Sequence, residues 1–177
     1  HLHARQAAEM AVRESERRLR LALDAAKAGT WEWDVRTQKN TWSDETFRLY
    51  GFAPGDCEPS SSAWLRAVHP ECREAAEKVV NEACSRGEEL NLEWRVNLPD
   101  GSLRWLLSRG RPELDAAGQP VRYVGIAMDI SERKRSEIEL EQHRHHLQQL
   151  VESRTAELAE ANRVLAARAD EISDLYN

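Results

Sequence analysis

Residues 100–134, DGSLRWLLSRGRPELDAAGQPVRYVGIAMDISERK, read as turn, strand, turn, strand and helix start, with Pro99 just ahead. Asp100-Gly101 is a two-residue hairpin signal, because a type I′ turn requires positive φ at both central positions. Leu103, Trp105 and Leu107 alternate with Arg104 and Ser108, the period of a half-buried strand, and Leu106 breaks the alternation. Asp115 to Pro120 is a second turn, rich in Gly, Pro and Asp. Val121 to Ile130 is largely apolar on both faces, the pattern of a central strand. Asp129-Ile130-Ser131-Glu132-Arg133-Lys134 closes that strand and opens a charged helix. Upstream, Leu90, Leu92, Trp94, Val96 and Leu98 alternate with Asn91, Glu93, Arg95 and Asn97, the clearest strand in the chain. A two-residue turn at Asp100-Gly101 sets Val96 opposite Trp105 and brings the two apolar faces together.

Further toward the N-terminus, Thr30 to Val35 reads as a strand with Trp31 and Trp33 on one face, and Gln38 to Trp42 as a short second strand. Ser43 is placed to cap a helix holding Phe47, Leu49 and Tyr50, which Gly51 ends. Ala63 to Val68 is a short helix carrying Trp64, Leu65 and Val68. His69-Pro70 then opens a longer helix, with Pro70 in the first turn, where its missing N–H costs nothing; that helix ends near Gly87. Residues 4–28 are helical, with Leu19, Ala22, Leu23 and Ala26 as an apolar stripe and Gly29 placed to end the helix in a left-handed conformation. That helix either lies on its own domain or pairs with a second copy and relays signals from upstream.

These residues carry a family resemblance. Glu93-Trp94-Arg95, Asp100-Gly101, Arg104-Trp105, Gly118, Gly125 and Asp129-Ile130-Ser131-Glu132-Arg133-Lys134 resemble, in order and spacing, the C-terminal half of PAS domains. PAS domains are the small sensory modules of bacterial signalling proteins. The run Trp42-Ser43-Asp44-Glu45 to Leu49-Tyr50-Gly51-Phe52 is similar to the same family, so the resemblance covers residues 16–134. Ser131 stands where the family's last motif usually carries Thr. The resemblance implies an α+β fold: a five-stranded antiparallel sheet with helices on one face, flanked by an N-terminal helix and a long C-terminal coiled-coil helix. The expected division is an N-terminal helix over 1–28, a PAS sensory domain over 29–130 and a signalling helix over 131–177.

Composition narrows the function classes. Across 177 residues the net charge is −6, which gives no reason to expect nucleic-acid binding. Mean hydropathy is −0.70 and no apolar run reaches the roughly 18–20 residues of a membrane span, so no membrane contact is expected within this chain. Cys57, Cys72 and Cys84 are an odd count without metal-ligand spacing, suiting free thiols in a reducing cytoplasm. The opening His1-Leu2-His3 lacks an initiator Met and suggests a fragment; Glu171 to Asn177 resembles the lead-in to a further PAS domain.

From Ser131 to Tyr176 there is neither Pro nor Gly. Val151, Leu158, Leu165 and Ile172 recur every seven residues, and Leu147, Ala161 and Leu175 share the second seam position with Arg154 and Arg168. A lone helix of this composition has nothing to bury that stripe against, so a parallel homodimer is expected. Leu150 to Leu158 resembles linkers between PAS domains and histidine-kinase cores.

No catalytic constellation stands out. His143, His145 and His146 lie on the charged helix outside any phosphoacceptor-like box, and the three cysteines lack the Asn-Cys-Arg context of light-sensing flavin PAS domains. Trp31, Trp33, Phe47, Tyr50, Trp64, Val68, Leu92, Trp94, Val96 and Ala127 are the candidates for lining a ligand cavity; equally, the tryptophans fill a packed core. No cofactor is expected. The alternatives are an unidentified small molecule, or haem on His69, since haem-binding members of the family ligate iron near the long helix. Against haem, His69 caps that helix. Asp129, Ser131 and Arg133 are the candidate relay residues: the resemblance implies that the Asp caps or pairs with the exit helix, and Arg133 stands one helical turn on. The function expected is a sensory and dimerisation module of a sensor histidine kinase. A non-sensing spacer and the regulatory region of a diguanylate cyclase are the alternatives.

Overall fold

The structure, a computed structural model, describes residues 2–176; His1 and Asn177, at the ends of the segments set out above, lie outside the described residues. Helix α1 (Leu2–Ala25) is followed by β1 (Ala28–Asp34), β2 (Asn40–Trp42), α2 (Asp44–Leu49) and α3 (Ser61–Ala67). A 3-10 turn (Pro70–Cys72) leads into α4 (Arg73–Arg86), and β3 (Leu90–Asn97), β4 (Leu103–Leu114), β5 (Pro120–Asp129) and α5 (Ser131–Leu175) complete the chain. The strands form one antiparallel sheet in the order β2-β1-β5-β4-β3, with α2, α3 and α4 packed on one face. The expected α+β architecture is thus present, with β5 at the centre of the sheet. Two compact units divide the chain, one running to Glu132 and the other starting at Arg133.

Local chemistry explains most of these elements. Ser43 caps α2: its Oγ accepts from Thr46 N–H (3.3 Å) and from Thr30 N–H (2.9 Å), so one side chain joins helix start to strand. Thr46 is fully buried and donates its hydroxyl to Thr30 O at 2.8 Å. Pro70 opens the 3-10 turn, and Gly87 ends α4 in the left-handed region. The β3 edge is covered by the α3 exit, through a bridge between Val68 and Val96 and a bond from His69 N–H to Arg95 O (2.7 Å).

Three expectations need correction. First, α1 ends at Ala25 and the positive φ falls on Lys27 (49°), while Gly29 lies inside β1. Glycine is required there for space: a Cβ would sit 2.2 Å from Thr46 Oγ1. The helix itself buries none of its residues, so it does not lie on its own domain; Leu19 and Leu21 are exposed and Leu23 is half-buried.

Second, the β3–β4 register is displaced by one residue. Gly101 N–H bonds Leu98 O and Leu98 N–H bonds Ser102 O (both 2.9 Å), with Gly101 at φ 82°. The loop therefore has three residues, Pro99-Asp100-Gly101, with glycine at the left-handed position. Val96 faces Arg104, and Trp105 faces Arg95.

Third, the phase of β4 is the opposite of the apparent one. Leu106, the residue that breaks the alternation, is completely buried opposite Trp94, and Ser108 and Gly110 follow it on the helix-bearing face. Leu103, Trp105 and Leu107 point to the other side, where the Arg95 guanidinium covers the Trp105 ring at 5.7 Å.

Candidate functional site

Two features of the core unit merit functional attention: a cavity between sheet and helices, and the junction where β5 gives way to α5.

The cavity measures about 230 Å³ and is lined by Trp31, Trp33, Trp42, Tyr50, Trp64, Leu65, Val80, Leu90 and Leu92, with Gln38, Asn40, Ser61, Glu77, Asn81 and Ser108 as its polar groups. Of the candidates read from sequence, Trp31, Trp33, Tyr50, Trp64 and Leu92 do line it. Phe47, Val68, Trp94, Val96 and Ala127 instead belong to the packed core around it. Core and cavity thus coexist. Trp31 explains part of the geometry, because its ring lies across the sheet over paired glycines: a Cβ on Gly110 or on Gly125 would stand 2.4 Å from it. Trp94 is held by a bond from Nε1 to Ser108 Oγ (3.1 Å), and its ring packs edge-on against Tyr50 and Trp64. Burial, partly offset by the hydrogen bond with Ser108, pushes the Tyr50 hydroxyl far above its usual range, so it is neutral. Tyr123, stacked on Trp33, donates its hydroxyl to the carbonyls of Ala83 and Glu88; burial raises its pKa to about 12.

Sequence reasoning missed Gln38, Asn40, Ser61, Leu65, Leu90 and Ser108, and the α4 residues Glu77, Val80 and Asn81. Ser108 was legible only once the phase of β4 was known. The α4 residues needed the docking direction of that helix.

Haem and cysteine–flavin chemistry find no fit among the cavity-lining residues. His69 is not one of them: its Nδ1 accepts from Glu71 N–H at 3.3 Å, the capping role. Cys57, Cys72 and Cys84 are half-buried thiols outside the cavity, and burial pushes the Cys84 thiol up, away from the reactive thiolate.

At the junction, Asp129 Oδ1 accepts from Ser131 N–H (2.8 Å), and Oδ2 meets Arg104 Nε at 3.3 Å. Arg104 reaches further, donating from Nη1 to the carbonyls of Arg48 (2.8 Å) and Leu49 (2.9 Å) at the end of α2. Both belong to the last turn of α2, where carbonyls run short of helical donors; Arg48 O also accepts from Gly51 N–H at 3.1 Å. Ser131 Oγ accepts from Trp105 N–H, and Ile130 N–H bonds Trp105 O, both at 2.9 Å. Asp129 and Ser131 are thus gathered in one network whose central member, Arg104, sequence reasoning left out; the signal available was its place in the Arg104-Trp105 pair. Arg133 forms an ion pair with Glu137 at 3.1 Å within α5.

The proposed seam residues Leu147, Val151, Leu158, Ala161, Leu165, Ile172 and Leu175 are all exposed along α5 of the single chain. None of the described helices is long and apolar enough to cross a membrane.

Comparison with known proteins places this geometry. The family model of the PAS fold matches residues 39–127. A probable diguanylate cyclase of Escherichia coli, DgcE, is 31% identical over 136 residues, covering 77% of this chain and 12% of that protein. Sensor protein FixL of Bradyrhizobium diazoefficiens is 29% identical over 133 residues, covering 75% of this chain and 26% of that protein. The chain therefore spans about a quarter or less of the length of these relatives. Among solved structures, a sensory box histidine kinase/response regulator from Burkholderia thailandensis superposes with a TM-score of 0.63 at 29% identity, covering 75% of this chain and 98% of that one.

Proposed function

The chain belongs to the PAS family, and from that premise we propose that it is the sensory and dimerisation module of a sensor histidine kinase. Events in the tryptophan-lined cavity would be passed to the exit helix α5 through Arg104. The observation that carries this reading is the double engagement of Arg104. One guanidinium holds both the C-terminal carbonyls of α2, whose flanking Tyr50 lines the cavity, and the carboxylate of Asp129 beside the first residue of α5. A shift of α2 by a fraction of an ångström changes the geometry available to Asp129, and with it the cap on Ser131 N–H. A partly exposed ion pair contributes only about 0.2–1 kcal/mol. That is little for holding the fold together. It is enough to bias two nearly equal arrangements of an exit helix, because a ligand shifts such an equilibrium by its differential affinity for the two.

The second half of the reading is the seam on α5. Burying the heptad stripe of Val151, Leu158, Leu165 and Ile172 against a second copy gives a parallel coiled coil in which the relay acts on two helices at once. Analytical ultracentrifugation checks it: the chain is expected to sediment as a dimer, and Leu158→Lys with Leu165→Lys as a monomer. A double variant that dimerises with undiminished affinity removes the seam. The cytoplasmic location proposed for the parent rests on the three free thiols.

The relay is tested by comparing thermal unfolding of this chain with output of the parent protein for Arg104→Met and Asp129→Ala. The expectation is a loss of signal response much larger than the loss of stability. A normal response in both variants leaves Asp129 as an ordinary cap. A second output, a diguanylate cyclase, is supported by the similarity to DgcE; it uses the same relay and differs only in what α5 leads to.

A further inference from the structure

Arg104 and Trp105 are neighbours on β4, yet their side chains serve opposite faces of the sheet. The last β4–β5 pair is Leu106 with Asp129, so the backbone of Trp105 lies just past the ladder. Both of its polar groups are taken by the residues that open α5: the N–H donates to Ser131 Oγ and the carbonyl accepts from Ile130 N–H, each at 2.9 Å. Ser131 is the first residue of α5. The start of that helix is therefore stitched to the main chain at Trp105, by bonds that do not pass through the Asp129 carboxylate.

The ring of Trp105 is half-buried on the outer face, opposite Arg95 of β3, whose guanidinium covers it at 5.7 Å. That guanidinium is itself held: Nη2 pairs with Glu71 Oε2 at 2.9 Å, and Nε donates to Cys72 Sγ at 3.4 Å. The main chain of Arg95 is held too, because its carbonyl accepts from His69 N–H at 2.7 Å beside the Val68–Val96 bridge. Side chain and backbone of one residue thus meet the connection between α3 and α4 as it passes round the β3 edge. Arg73 binds that connection into one piece, donating to Val68 O at 3.0 Å and to Arg66 O at 3.3 Å. The helices on either side of it carry Trp64, Leu65 and Val80 of the cavity wall.

We infer that Arg95 is a second positioning residue of the junction: through Trp105 it ties the first residue of α5 to the α3–α4 connection, as Arg104 ties Asp129 to the end of α2. The two holds approach from opposite faces of the sheet and share no side chain, so either can loosen while the other stays. Its consequence for signalling rests on the relay reading above, to which it adds a route: a movement of α3 and α4 reaches the start of α5 without passing through α2. A cation over an aromatic ring and a partly exposed ion pair are weak contacts. They suit a hold that biases the junction rather than one that keeps the sheet together.

Amide hydrogen exchange of the whole chain, followed by NMR at Trp105 N–H and Ile130 N–H, tests it. Arg95→Met keeps an apolar stem over the ring and should speed exchange at both amides by about two- to fivefold. Ser131→Ala removes the acceptor and should speed Trp105 N–H by about fivefold or more, whereas Ser131→Thr keeps the hydroxyl and should return the parent rate. Arg111→Met, an arginine of β4 on the same outer face, should change neither amide. In the variant carrying both Arg95→Met and Asp129→Ala, the two factors at Ile130 N–H should multiply, as they do for independent sites. Four results each overturn the assignment: unchanged exchange in Arg95→Met, an equal acceleration of all amides in β3, β4 and β5, no recovery in Ser131→Thr, or a double variant no faster than the faster single one. No signalling readout is involved, so a failure here leaves the Arg104–Asp129 relay standing, and a normal response in the relay variants leaves the second hold standing.

Discussion

Strands β3 and β4 are hydrogen-bonded neighbours, yet they display their burial in opposite ways. In β3 each inward residue is large and apolar: Leu90, Leu92, Trp94 and Val96 are buried and their neighbours are polar. In β4 the inward residues after Leu106 are Ser108 and Gly110, while Trp105 and Leu107 look outward. The cause is volume. Trp94, rising from β3, needs a small hydroxyl-bearing neighbour, and Trp31, reaching over from β1, needs a floor without a side chain. Large residues on β3 and β1 thus force small ones, Ser108, Gly110 and Gly125, onto the two strands between them, and on β4 hydrophobicity alone then reports the wrong face. Cores packed at near-crystalline density make such exchanges of size the rule.

The contrast can be broken most severely at Leu106. Leu106→Ala should lower stability by about 2–5 kcal/mol, as for other buried leucines. Leu107→Ala, one residue on and half-exposed, should cost less than half as much; comparable losses in chemical denaturation would mean that the phase assigned to β4 is wrong. Next comes Gly110→Ala, where the added Cβ would overlap the Trp31 ring at 2.4 Å. Overpacking of this kind costs about 1–3 kcal/mol. Trp31→Phe in the same chain should recover part of the loss, a coupling readable from a double-mutant cycle. Ser108→Ala takes the acceptor from buried Trp94 Nε1 and should cost about 1–2 kcal/mol, with Ser108→Thr or Cys distinguishing a lost bond from lost space. The smallest effect is expected at the hairpin: Gly101→Ala places a side chain at φ 82° and should cost about 1 kcal/mol without altering the register, which amide hydrogen exchange across Asn97 and Leu103 would verify.

Legibility followed the range of the interaction. Ser43 as a cap, Gly51 and Gly87 as helix ends and the alternation of β3 were readable because the groups involved are neighbours in the chain. The hairpin was half-readable: Asp100-Gly101 marked its position, but a two- and a three-residue loop share that dipeptide, and only the backbone bonds of Leu98 distinguish them. For the cavity, the aromatic wall was foreseen through Trp31, Trp33, Tyr50, Trp64 and Leu92. That Trp94 would pack into the core was not, because its place there depends on Ser108 from the neighbouring strand, which accepts from its indole nitrogen.

The amino-acid sequence by itself determined the class of fold, the order of strands and helices, the family and the position of the exit helix. These depend on periodicity, capping and turn chemistry, which act over a few residues. The tertiary structure alone decided the pairing of Val96 with Arg104, the burial of Leu106 and the joint hold of Arg104 on Asp129 and on the end of α2. Each of these joins residues from separate elements, and each is settled by competition for the same small volume, a quantity that no local pattern of residues records.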